Sequence, residues 1–187
     1  GTIVKKPELD LIEGDGILYK TFINVRRKQK EFDCIMIVLD KDQVRTRRIG
    51  KGLKVSIEGE IQTRNIYDIS GRRSVLSYVR VIELHKVHSE TPDKNHVVLQ
   101  GKVSKTPALW KFENGKRRAN FTLCKQDLDE RRISFVPCIA WNGVADVICE
   151  LVQWEELSFE GMFQSRGYTT ENNEERTAFE VSVTRLI

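Results

Sequence analysis

Two stretches of the chain carry the same chemistry-bearing residues. Residues 57–67 read IEGEIQTRNIY and residues 159–168 read FEGMFQSRGY, so each runs apolar, Glu, Gly, any residue, apolar, Gln, hydroxyl, Arg, with a Tyr close behind. A guanidinium near a flat ring at the far end of a strand suits a polyanion with planar groups. Arg64 or Arg166 can meet a phosphate, and Tyr67 or Tyr168 can accept a base on its face. The competing reading of either Arg is an ion pair with a neighbouring strand.

Other candidates for the same chemistry fall in loops and at strand ends. Arg26, Arg27, Lys28 and Lys30 form the basic run RRKQK, Arg72 and Arg73 sit at the tip of a hairpin, and Arg117 and Arg118 follow an Asn-Gly turn. Loop clusters of this kind could hold a phosphate backbone. RTRR at 45–48 reads better as a solvated segment. Among the rings, Phe32, Phe135 and Trp141 lie on strands as stacking candidates, with Trp141 open to a packing role as well. Trp110 and Phe112 form a W-x-F that faces either nucleic acid or the linker between the halves. Phe121, Phe159, Phe163 and Phe179 alternate with polar neighbours and are expected in the core, and Trp154 is expected to pack a helix. Glu58 and Glu160 are expected on the outer face or at a subunit contact.

Catalytic chemistry finds no support. No Ser/His/Asp grouping, phosphate loop or paired-acid motif occurs, so an enzyme is not expected. His85 and His88 form an H-x-x-H without a cysteine or acid at zinc spacing, so neither a metal nor a cofactor is expected. Cys34, Cys124, Cys138 and Cys149 make no C-x-x-C pair, and three lie in apolar runs, which reads as reduced thiols in a reducing, cytoplasmic setting. No apolar run is long enough for a membrane helix, and no leader-like segment opens the sequence.

The elements that must position these groups come in two sets. The opening strand recurs 102 residues on, Gly1–Leu9 lies against Gly101–Leu109, Lys20–Val25 against Ala119–Cys124 with Phe22 matched to Phe121, and Phe32 matches Phe135 at an offset of 103. Both halves close on β-branched alternation. The polar run HSETPDKN separates them, which gives domains at 1–87 and 95–187 with a linker at 88–94. Gly1 has no apolar strand before it as Gly101 has, so the natural protein is expected to extend further and the first strand to be truncated. The 187 residues carry a net charge of +4, shared unevenly. Residues 1–94 hold 19 Lys+Arg against 14 Asp+Glu, and residues 95–187 hold 12 against 13, together with all three Trp.

In the second half, strands are expected over 96–104, 119–125, 133–141, 157–166 and 177–187, with an amphipathic helix over 142–157 from the spacing of Val144, Val147, Ile148, Leu151 and Trp154. Five antiparallel strands with a helix between the third and fourth is the order of an OB barrel. The first half repeats it, with a helix over 40–52 of one turn or none. The fold expected is all-β: two tandem five-stranded OB-fold barrels.

Asn95, Gly101, Pro107, Asn114-Gly115, Ala119–Leu123, Phe135, Trp141 and the Glu160-to-Tyr168 strand, in that order, resemble the bacterial single-stranded DNA-binding protein family. The resemblance covers nearly all of 95–187, and in the first half it is strong only over Val55–Arg64. It implies non-sequence-specific binding of single-stranded DNA in replication, recombination or repair, with stacking by Phe135, Trp141 and Tyr168. In the first half Phe32 matches the first of these, Val38 stands where Trp141 would, and Ile66 takes the strand-four place with Tyr67 one step late. Departures include Glu155-Glu156 where the family has Lys-Gly, and no acidic tail after Ile187. Two chains pairing into four barrels is expected, with replication proteins as possible partners. A protein-docking OB module of a primosome-type complex and an RNA-binding OB protein are the alternatives.

Overall fold

The computed structural model describes residues 1–13, 16–27, 31–128, 132–169, 173 and 175–187. Its contacts divide the chain into two compact units, Gly1–Ile61 with Tyr78–Lys94 and Gln62–Ser77 with Asn95–Ile187. Both are built of strands, and among the described residues no helix is long and apolar enough to cross a membrane.

The first copy contributes β1 (Thr2–Ile3), β2 (Glu8–Glu13), β3 (Gly16–Arg26), β4 (Phe32–Asp40), α1 (Lys41–Arg47), β5 (Val55–Tyr67) and β6 (Arg73–Lys86). Pairing runs β1-β3-β4-β6-β5, β2 lies on β3, and a bridge from Thr2 to Lys54 returns β5 to β1. The ring is therefore closed, which leaves no long sheet edge unpaired. Ile23, Val25, Ile35, Ile37, Val55 and Val81 turn into it.

The second copy repeats this as β7 (Val97–Val103), β8 (Ala108–Lys111), β9 (Arg117–Gln126), β10 (Ile133–Trp141), α2 (Asn142–Ile148), β11 (Glu156–Thr169) and β12 (Glu175–Leu186). The path β10-β12-β11-β7-β9-β8 closes through β9 to β10. Alternation does the sorting: Ala119, Phe121 and Leu123 point inward from β9, and Val136, Cys138 and Ala140 from β10. The OB barrels are as expected, with two refinements. The first strand of each breaks into two pieces (β1 and β2, β7 and β8), and the third strand pairs parallel with the last, at Ile37–Val79 and Cys138–Val181.

The repeated Glu-Gly has a steric cause. A Cβ on Gly161 would lie 2.4 Å from the Ser182 carbonyl oxygen, and one on Gly59 2.5 Å from that of Arg80. At both places two strands of a small ring approach too closely for any side chain.

Four expectations change. The helix predicted over 142–157 ends at Ile148, where Ala145 and Ile148 have already filled the space beneath the barrel and the chain must turn back to meet β7. Trp154 therefore packs no helix and is exposed. The first copy's helix is as long as the second's. Asp40 accepts from the Gln43 N–H and Gln43 Oε1 accepts from the Asp40 N–H, a capping box that starts α1 without any buried residue. Phe179 is only half-buried and lies 6.3 Å from Phe163.

The copies also align differently from the sequence match. Ser104 N–H donates to Thr122 O and Val4 N–H to Phe22 O, which makes Phe22 the counterpart of Thr122, not of Phe121. Phe121 is buried while Phe22 is half-exposed on the opposite face. A one-residue slip is enough to reverse a side chain. On the next strand, α1 and α2 start from Asp40 and Trp141, and the parallel pairs start from Ile37 and Cys138. That offset of 101 makes Cys34 the counterpart of Phe135, Asp40 that of Trp141, and Phe32 that of Ile133.

Between Lys86 and Val97 there is no strand or helix. Asp93 in this stretch is nonetheless anchored in the first unit: its carboxylate takes the Lys54 ammonium and the Arg26 N–H, the latter at 2.7 Å. Burial pushes its pKa up, but these donors outweigh burial and the net value lies below the usual carboxylate range.

Candidate nucleic-acid interface

On β10 the side chains of even number point into the barrel, which leaves Ile133, Phe135, Pro137, Ile139 and Trp141 on the other face. Trp141 pairs across to Arg118 on β9, and Arg118 pairs on to Trp110 on β8. Two rings and a guanidinium thus line up across three strands. The Arg118 guanidinium carbon lies 5.9 Å from the Trp110 ring centroid and 5.4 Å from that of Phe112, within cation–π range. Phe112 in turn stacks on Trp141 at 6.2 Å with the planes 29° apart. Arg118 Nε is buried without a hydrogen-bond partner among the described residues, so aromatic faces hold this cation instead of a carboxylate. Trp110 is 54% exposed and Trp141 38%.

The tight turn supports this arrangement. Gly115 takes φ 78°, Asn114 Oδ1 accepts from the Lys116 N–H, and Phe112 and Lys116 close the hairpin. Asn-Gly is the dipeptide such a turn selects. Arg117 beside it faces elsewhere. Its guanidinium grips Asp146 of α2 in a two-pronged pair at 2.7 and 2.8 Å, which raises its pKa and ties β9 to the helix.

Six residues before Trp141, roughly 20 Å along the strand, lies Phe135, 43% exposed on the same face. It borders a groove of about 520 Å³ within the second unit, whose lining includes Arg64, Arg73, Lys105, Phe135 and Trp154. Thr63 fixes the Arg-bearing strand there: its N–H donates to Ser134 Oγ at 3.0 Å and its Oγ1 accepts from the Phe135 N–H at 2.9 Å. Ser134 Oγ also bonds Asp127, whose other oxygen takes the buried Lys125 ammonium. These contacts complete the hydrogen bonding of buried polar groups that would otherwise be costly. The groove combines three cations with two rings.

The remaining candidates are distributed as follows. Arg166 is half-exposed and pairs with Glu180 on β12 at 3.1 Å, so the ion pair weighed against its binding role is present. Tyr168 is exposed near the end of β11. Tyr67 and Ile66 are both exposed, and neither is part of the groove lining. Arg72 is exposed at a tip shaped by Asp68, whose Oδ1 accepts from the Ser70 and Arg72 N–H groups. In the first unit Phe32 is exposed beneath the Arg26 guanidinium at 5.5 Å, and Arg27 is engaged by the buried carboxylate of Asp33. Lys28 and Lys30 lie outside the described residues. Arg45 and Arg47 occupy the exposed last turn of α1. Glu160 pairs with Arg185 at 2.6 Å, and its carboxyl is held below the usual range by that bond. All four cysteines are free thiols, Cys138 with its pKa pushed up by full burial. Among the described residues no group of His, Cys, Asp or Glu could hold a metal.

Sequence reasoning missed Lys105 and Trp154. The repeat itself held the signal for Trp154: Gly52 donates its N–H to Ile3 O and Trp154 its N–H to Val103 O, at 2.8 and 2.7 Å, so a ring stands where the first copy has glycine.

The fold and part of the sequence have known counterparts. The wild-type single-stranded DNA binding protein from Thermus aquaticus superposes with a TM-score of 0.74 at 18% identity, over 100% of this chain and 88% of that one, a likeness of fold. The single-stranded DNA-binding protein of Halalkalibacterium halodurans is 33% identical over 95 residues, and single-stranded DNA-binding protein A of Bacillus subtilis is 30% identical over 95. Each match takes in 48% of this chain, and the chain spans about half the length of these curated relatives, 55% and 54%. The model of the single-strand binding protein family matches residues 94–187, the whole second barrel with its row of rings, and the chain belongs to that family.

Proposed function

We propose that the protein binds single-stranded DNA without sequence preference, chiefly on the second barrel. The observation that carries this reading is the row Trp110–Arg118–Trp141 with Phe135 on the same strand face. Exposed rings beside cations are what an unpaired strand requires: every base has a π-face worth roughly 1–3 kcal/mol on an aromatic ring, and every phosphate needs a positive neighbour. Arg64, Arg73 and Lys105 supply charge at one end of this face and Arg118 at the other. A paired duplex presents no free base faces to such a surface.

The test is tryptophan fluorescence during titration with poly-dT, poly-rU and duplex DNA at two salt concentrations. All three Trp lie in the second copy and are exposed, so poly-dT should quench strongly, with an affinity that falls steeply with salt, and duplex should quench weakly. A flat response to every polymer would sink the reading and return the chain to a protein-docking role. Preference for poly-rU would move the ligand to RNA.

Pairing of two chains into four barrels belongs to the same proposal. Val98 on β7 and Met162 on β11, exposed on neighbouring outer positions, support it, and sedimentation equilibrium reads it directly.

A further inference from the structure

Trp154 adopts φ 69°, in the left-handed region that glycine tolerates and bulky side chains avoid. Its counterpart Gly52 adopts φ 84° and makes the same hydrogen bond to the equivalent strand, so the turn itself needs only glycine. A large ring kept at a backbone position that penalises it points to a use outside the turn. Packing is not that use, since Trp154 is 53% exposed. Its neighbours around the groove are Phe135, Arg64, Arg73 and Lys105. We infer that Trp154 is a base-stacking residue specific to the second barrel: it receives a nucleobase of the bound strand while the groove's three cations take the adjoining phosphates. This rests on the single-strand reading above and adds to it a contact that the first barrel cannot make. The turn before β11 is held independently by Gln153, whose Nε2 donates to Ser104 O at 2.8 Å, so the ring can be removed without loosening the loop.

The experiment compares the wild type with Trp154→Gly and Trp154→Phe, using anisotropy of fluorescein-labelled oligo-dT for binding and thermal unfolding for the fold. Trp154→Gly should bind about tenfold more weakly, the loss of one stacked base, while its unfolding midpoint stays level or rises by a few degrees as the left-handed strain is relieved. Trp154→Phe should stay within about threefold of wild type, because a smaller ring still stacks. If wild type binds oligo-dT and Trp154→Gly binds equally well, the inference fails alone. It also fails if the glycine variant melts several degrees lower, since the ring would then be serving the fold, or if the Phe variant is as weak as the Gly variant. Absence of oligo-dT binding by wild type overturns this inference together with the proposed function.

Discussion

The same face of the same barrel is built with different side chains in the two copies. On β10 it carries Phe135 and Trp141, and on β4 the corresponding places hold Cys34 and Asp40. Asp40 spends its carboxylate on capping α1, whereas Trp141 starts α2 without any side-chain cap and leaves its ring over Phe112. Between them on β4, Met36 and Val38 are buried. In the turn before the fourth strand, the first copy has Gly52 where the second has Trp154. The first copy holds more of the positive charge, the second more of the exposed rings. The two copies share the barrel and differ on its outer face, and the barrel tolerates this because the inward-facing residues that hold it together are not the outward-facing ones that differ; under the proposed function the binding chemistry is divided between them.

The largest expected effect tests that division. Replacing Trp110 and Trp141 together by alanine should weaken oligo-dT binding at least about 30-fold, from two lost stacking contacts, whereas Phe32→Ala in the first copy should cost about threefold. Equal losses would mean both copies stack alike. Next comes Asp93→Ala, which unpairs the Lys54 ammonium and should cost about 2–3 kcal/mol of the first unit's stability, read by chemical denaturation. Because the carboxyl's pKa is lowered in the folded state, this contribution is present above the unfolded value of about 3.9 and disappears as pH falls through the folded value. The difference between wild type and variant should therefore be constant from about pH 5 to 7 and shrink below about pH 4.

Smaller effects sharpen the electrostatic side. Arg64→Gln with Arg166→Gln should lower the slope of log affinity against log salt by about 1.4, two phosphate contacts. Arg45→Gln with Arg47→Gln, on the exposed end of α1, should change it less. Equal changes would mean that Arg64 and Arg166 serve the strands, as the Arg166–Glu180 pair on its own could. The smallest effect is a gain: Cys34→Phe restores on β4 the ring that β10 has, and should tighten binding by about threefold, up to one partial stack. No change would place the first copy's face off the strand's path.

Much was legible without coordinates. Period-two alternation named the strands, the Asn-Gly pair named the β8–β9 turn, and the twice-written Glu-Gly stretch revealed the repeat. The helix after β4 was underread, because its capping box Asp40-x-x-Gln43 starts a helix that buries no side chain and so shows little apolar spacing. The helix at 142–157 was overread because Leu151 and Trp154 continued an apolar spacing after the chain had already turned. Arg117 could not be told from Arg118, although one grips Asp146 and the other lies on rings, since adjacent residues on a strand face opposite sides.

The amino-acid sequence alone determined that there are two related barrels, that Phe121, Phe159 and Phe163 belong to the core of the second, and that rings and guanidiniums accumulate at their strand ends. These follow from local alternation and from self-similarity, both of which are properties of the chain in order. Only the tertiary structure decided which residues of the two copies are true counterparts, that Thr63 sets Arg64 beside Phe135, and that Trp154 stands exposed on a glycine's backbone. Those depend on pairing register between strands far apart in the chain, and a slip of one residue, nearly invisible in composition, moves a side chain from one face of the sheet to the other.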